Sequence, residues 1–155
     1  MMQRRILAQM SDFPWLDSYQ YKLTELAEAG QLHHALLLTG PVGIGKLALA
    51  KRLAAYLLCK SPQQQLPCGL CKSCQLMASG HHPDLWQLPT EGSSSIGVDP
   101  IRALGQFMHG ASQQGGVKLA LIPQAELMTE AAANALLKTL EEPPQNSFLI
   151  LQSAH

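Results

Sequence analysis

Two groups of residues have types and spacing that could do chemistry. The first is GPVGIGKLALA, Gly40 to Ala50, which has the G-x-x-x-x-G-K spacing of a phosphate-binding loop. Glycines at 40, 43 and 45 let backbone N–H groups turn inward around an anion. The start of the helix that follows adds about half a positive charge at the same point. Lys46 is placed to reach the outer phosphates of a nucleotide such as ATP or ADP. A working loop also needs a hydroxyl after the lysine, to hold magnesium. That position is Leu47, which has no oxygen to give.

Magnesium in such a site takes a second anchor, an acidic residue at the end of a neighbouring strand. The strand expected to carry it is KLALIPQAEL. After Leu119–Ile122, where an Asp-Glu pair belongs, stand Pro123 and Gln124. Proline has no side-chain ligand, and glutamine cannot take a proton from an attacking water. Glu126 comes later, past the expected strand end. Phosphoryl transfer relies on positioning and charge neutralisation, and losing one such element commonly costs about 100-fold or more. Missing the metal ligand, the acid beside it and the base together leaves no route to hydrolysis. The loop reads either as a structural turn or as a site that still holds nucleotide without magnesium.

The second group is C-K-S-P-Q-Q-Q-L-P-C-G-L-C-K-S-C, which contains all four cysteines, Cys59, Cys68, Cys71 and Cys74. Four thiolates satisfy tetrahedral zinc and leave no open position for water, so the expected role is structural. Gly69 beside a C-x-x-C step allows a tight turn with N–H groups pointing at sulfur. Three other readings stand beside zinc. Disulfides fit poorly with an intracellular protein of this kind. An iron–sulfur cluster shares the C-x-x-C-x-x-C spacing, but the usual following Cys-Pro is missing. Unligated thiols at this density are the last. His81 and His82 lie nearby and read as hydrogen-bonded or solvated rather than ligating.

The elements that must position these groups follow from periodicity. Leu16 to Ala29 suits a helix with Leu16, Tyr19, Leu23, Leu26 and Ala27 on one face and Gly30 as its stop. HALLLT, His34 to Thr39, reads as a buried parallel strand entering the glycine loop. Lys46 to Cys59 reads as a helix with Leu49, Leu53, Tyr56 and Leu57 on one face. Lys60 to Pro83 is dense in Pro, Gly, Gln and Cys and reads as an insertion without a regular element of its own. Asp84 to Leu88 fits a strand, and 91–95 a loop. Asp99 and Pro100 fit the N-cap and first position of a helix through Met108. Val117 to Ile122 and Phe148 to Leu151 are two more strands. Between them, Thr129 caps a helix from Glu130 to Glu141, ended by Pro143 and Pro144. Strands alternating with helices predict an α/β fold, a parallel sheet covered on both faces. Trp15 and Trp86 read as core or edge packing, and Lys138, Glu141 and Glu142 as a solvated helix end.

Composition bounds the function. The chain has 155 residues, 46% hydrophobic and 14% charged, enough for one domain with a core. Eleven basic and eleven acidic residues cancel, so net charge gives no argument for nucleic acid. The insert holds only Lys60 and Lys72 as basic residues, which argues against a nucleic-acid-binding zinc ribbon. No apolar run reaches the length of a membrane span and no signal-peptide pattern opens the chain, so a cytoplasmic location is expected. The ending SFLILQSAH reads as a core strand with its exit turn, so further domains are expected beyond it.

The stretches AEAGQLHHALLLTGPVGIGK, the four-cysteine insert, SGHHPDLWQL and MTEAAANALLKTLEEPPQNSFLIL together resemble the bacterial clamp-loader subunits of DNA polymerase III. The resemblance runs from about Phe13 to Gln152. It implies a P-loop AAA+ (RecA-like) domain over 1–155, the first part of a longer protein, with a zinc module inserted at about 59–83 and the lid and collar domains absent. Within the family, Leu47, Pro123 and Gln124, with the opening F-P-W-L, look like the delta-prime type. The ATP-hydrolysing gamma/tau motor type is the alternative. The resemblance further implies a non-catalytic stator in a pentamer with gamma/tau and delta, which loads a ring-shaped sliding clamp onto primer–template DNA. An arginine finger in a Ser-Arg-Cys motif would follow the last strand here. Alone, these residues are expected to be monomeric.

Overall fold

A computed structural model describes residues 14–88 and 95–154. Phe13 of the F-P-W-L stretch, and positions 91–94 of the expected loop, lie outside the described residues.

Four parallel strands form one sheet: β1 Ala35–Thr39, β2 Leu85–Gln87, β3 Lys118–Ile122 and β4 Ser147–Ser153, in the order β1-β4-β3-β2. Every strand pair is parallel, so each connection must cross over a sheet face, and the helices lie there. They are α1 Asp17–Glu28, α2 Lys46–Leu58, α3 Lys72–Ser79, α4 Val98–His109 and α5 Glu130–Glu141.

The central strands are apolar on both sides. β3 is buried at every position. Its Leu119 and Leu121 join Ile150 of β4 against Ala50, Leu53 and Leu58 of α2. Its Ala120 and Ile122 join Leu149 against Ile101, Leu104 and Met108 of α4 and Leu136 of α5. The period-two alternation of a strand thus feeds two cores at once. The predicted sheet with helices on both faces is what forms.

Four expectations need correction. The insert is not irregular throughout, because α3 lies within it. The cap of α4 is Gly97, so Asp99 falls inside the first turn, beside Arg102 at 3.9 Å, and Pro100 is not the opening residue. Of the expected α1 face, Leu16 is buried and Leu23 packs into the core, but Tyr19 is 62% exposed, and Gln20 and Thr24 turn inward as well. Arg52 of α2 is buried beneath α1 and draws acceptors inward, Gln20 Oε1 at 3.4 Å and Asp17 Oδ1 at 3.5 Å. β1, expected to be buried, is an outer strand with Leu37 60% exposed. Trp15, read as core or edge, is half exposed at the edge, and its indole N–H donates to the carbonyl of Ile44. Trp86 does pack, against Phe107. The Thr129 cap forms as expected, its hydroxyl accepting from the N–H of Ala132.

Candidate functional site: a glycine loop and a four-thiol cluster at opposite ends of one helix

The glycine loop joins β1 to α2. The N–H of Gly40 donates to the carbonyl of Ser153, which extends the sheet ladder to the first glycine. Gly43 and Gly45 have φ of 86° and 99°, conformations that a Cβ makes costly. Gly45 is the cap residue of α2 and has no side chain to satisfy the free N–H groups that follow. Those donors remain available at the positive end of the helix.

Lys46 folds back over its own loop, donating to the carbonyl of Gly40 and, at 3.2 Å, to that of Pro41. An ammonium has three donors, so one is left over. The loop borders a cleft of about 350 Å³. Leu47, Pro123 and Gln124 line it, in the positions where a hydroxyl and two acids would hold a metal. Glu126 sits in a 3-10 turn past β3, as the sequence predicts, and its exposed side chain is the one carboxylate among the lining residues.

Sequence reasoning missed Gln152. It lies on β4, which runs two residues further than predicted, and pairs in register with Leu38. Its side chain is 2% exposed, borders the cleft, and leaves Nε2 without a hydrogen-bond partner. A buried amide without partners is costly. No local signal in SFLILQSAH announces it; only the register of the sheet does.

At the other end of α2, Cys59 is the C-cap. The structure brings its sulfur together with those of Cys68, Cys71 and Cys74, all within 4.8 Å of one another. Cys68 and Cys74 sulfurs are 3.9 Å apart and those of Cys59 and Cys71 4.0 Å. Tetrahedral zinc with Zn–S near 2.3 Å needs sulfur separations of about 3.8 Å. The donor set therefore fits such an ion, and the four cysteines could hold a metal.

The surrounding backbone is arranged for charged sulfur. N–H groups of Ser61 and Cys68 point at Cys59, those of Leu70 and Cys71 at Cys68, that of Cys74 at Cys71, and that of Gly69 at Cys74. The turn expected at Gly69 is there, with φ of 77°. The Leu70 and Cys71 amides pull the Cys68 thiol down to about 6. Burial opposes ionisation of Cys71, but donors from Lys60 and Cys74 outweigh it and its value falls. Burial raises both Cys59 and Cys74. A cation shared by all four would reverse that penalty. Cys71 is also the cap of α3, its sulfur accepting from the N–H of Cys74, so one residue serves both the cluster and the helix that sequence reading overlooked.

His82 stays outside the cluster. It is buried, and its Nδ1 accepts from the N–H of Asp84 at 3.0 Å. Asp84, 1% exposed, accepts in turn from the N–H groups of Gln113 and Gln114 at 2.7 and 2.9 Å. This carboxylate ties the start of β2 to the loop before β3, a structural role.

The fold and site together define a parallel α/β domain with a glycine-rich loop after its first strand and a four-thiol insert after the helix that follows. A family profile described as "DNA polymerase III, delta subunit" matches residues 17–155, and the chain belongs to that family. A protein named DNA polymerase III subunit delta′ from Yersinia pestis is 46% identical over 143 residues, covering 92% of this chain and 42% of that protein. The one so named from Escherichia coli K12 is 44% identical over 140 residues, covering 90% and 42%. DNA polymerase III subunit tau of the same organism is 35% identical over 135 residues, covering 85% of this chain and 21% of that protein. This chain therefore spans less than half the length of these relatives. A solved structure of a DNA polymerase III gamma subunit-related protein from Thermotoga maritima superposes with a TM-score of 0.64 at 24% identity, covering 87% of this chain and 39% of that one, which shows the shared fold. Among the described residues no helix is long and apolar enough to cross a membrane.

Proposed function

We propose that this chain is the loop-bearing domain of a delta-prime clamp-loader subunit, a non-catalytic stator within the DNA polymerase III assembly. The observation that carries the reading is the lining of the cleft. Leu47, Pro123 and Gln124 stand around the glycine loop, and none can bind magnesium through a carboxylate or hydroxyl. The family membership and the delta′ relatives support the same assignment. In this role the domain contributes rigidity and surface. Its partners are the gamma/tau motor subunits and delta, and it acts on the sliding clamp and primer–template DNA only through the whole complex. The AAA+ domain covers 1–155, with the metal module at about 59–83. Zinc is the metal we assign to Cys59, Cys68, Cys71 and Cys74, on the chemistry of four convergent sulfurs with backbone donors.

A second reading concerns the loop alone: Gly40, Gly43, Gly45 and Lys46 hold ATP or ADP without magnesium. The orphaned Nε2 of Gln152, a residue that lines the same cleft as Lys46, favours it. The motor alternative needs Glu126 as its metal ligand.

One calorimetric experiment separates the three. The full-length protein is titrated with ATP and ADP, with and without magnesium, beside an assay of phosphate release. The stator reading expects no turnover. Saturable binding that magnesium leaves unchanged adds the second reading. Magnesium-dependent turnover that disappears in Glu126→Ala replaces the stator by a motor.

A further inference from the structure

The segment between Cys59 and Cys68 holds a turn that the rest of the insert does not explain. Gln64 and Gln65 are consecutive residues with φ of 52° and 63°, in the left-handed region, where a Cβ is costly. A two-bond bridge closes the turn, Gln63 N–H to the Leu66 carbonyl at 2.8 Å and Leu66 N–H to the Gln63 carbonyl at 2.9 Å. Just outside the bridge stand the first two cysteines of the cluster. Paired costly conformations persist where the surroundings over-determine them.

What the turn delivers is a side chain. The Gln65 amide lies 3.2 Å from the hydroxyl of Thr24, a fully buried residue of α1. That hydroxyl already has the carbonyl of Tyr21 at 3.0 Å. The Thr24 hydroxyl thus has two acceptors for its one proton, the Tyr21 carbonyl and Gln65 Oε1. The contact spans 41 residues of sequence. It ties the insert to the inward face of α1, and α1 follows the turn whose Trp15 donates to the glycine loop at Ile44.

We infer that a metal held by the four cysteines positions α1 against α2, with Gln65 as the positioning residue that transmits it. The ion fixes both ends of the segment, the fixed ends hold the turn, and the turn seats the amide on Thr24. Met77 of α3 packs into the same core as Leu23 of α1, which gives the insert a second hold on that side of the sheet. The inference rests on the metal reading above.

Amide hydrogen exchange on the full-length protein tests it, with metal content measured on every sample. Removing the metal should speed exchange across the insert and also at residues 24–28 of α1, there by about tenfold, the size expected for loss of one buried hydrogen bond. Gln65→Ala should speed residues 24–28 while the metal content stays at the wild-type value. Thr24→Val keeps the shape of the site and should do the same. If metal removal loosens the insert and leaves α1 as slow as before, the inference is wrong. It is equally wrong if Gln65→Ala, with metal bound, leaves α1 unchanged. A purified protein that contains no metal would instead overturn the zinc assignment, and the metal measurement tells these outcomes apart.

Discussion

The residues that matter most here are those whose neighbours restrict their protonation. His82 is the clearest. Burial holds its imidazole below the ordinary 6.5, Asp84 partly offsets this, and Lys60 adds to it. Protonating Nδ1 would also break the bond from the Asp84 N–H. The sign follows. The unfolded chain takes up a proton as pH falls through 6.5, and the native state resists, so stability is lost on the acid side. His82→Asn keeps an acceptor near the Nδ1 position and removes the titration. Between pH ~7.5 and ~5.5 the wild-type Tm should fall more than that of His82→Asn, the difference cancelling any acid loss of metal common to both. At this scale the sequence was readable where chemistry imposes spacing. Four cysteines announce a cluster, and Leu47, Pro123 and Gln124 announce missing oxygens. Gln152, Asp84 and the Gln65–Thr24 contact were not readable. Their partners come from other parts of the chain, and a lone glutamine or aspartate carries no local mark.

The elements were legible in proportion to their apolar regularity. β1, β3, α2 and α5 appear close to where their patterns put them, because apolar period and stop residues agree. α3 was hidden because its start is organised by a cysteine of the cluster, with Cys71 as cap and the left-handed Gly80 as stop. The inward face of α1 was read only in part: Leu16 and Leu23 turn inward as their period predicts, but Gln20, drawn in by the buried Arg52, and Thr24 carry no apolar signal. The start of α2 permits a direct test. Gly45→Ala places a Cβ at φ of 99° and should cost about 1–2 kcal/mol, seen as a lower urea midpoint of the full-length protein.

Across the whole molecule, stability is concentrated in the two middle strands. β3 and β4 contribute fully buried side chains to both cores, whereas β1 and β2, the outer strands of the described sheet, contribute partly buried ones. Leu121→Ala removes a fully buried side chain between α2 and the sheet and should cost about 2–5 kcal/mol in denaturant unfolding. Leu37→Thr, on β1 at 60% exposure, should change stability by no more than about 0.5 kcal/mol. The α/β architecture was legible from alternation alone, but the strand order was not, since it is set by pairings distant in sequence.

Helix α2 has thirteen residues and so sets its two ends about 20 Å apart. That is roughly twice the screening distance in physiological salt. A change of charge at one tip is therefore felt only weakly across the solvent at the other. The residue at position 47 could change without disturbing the thiols at the far tip. Packed side chains along α2 are the direct mechanical link between the two tips.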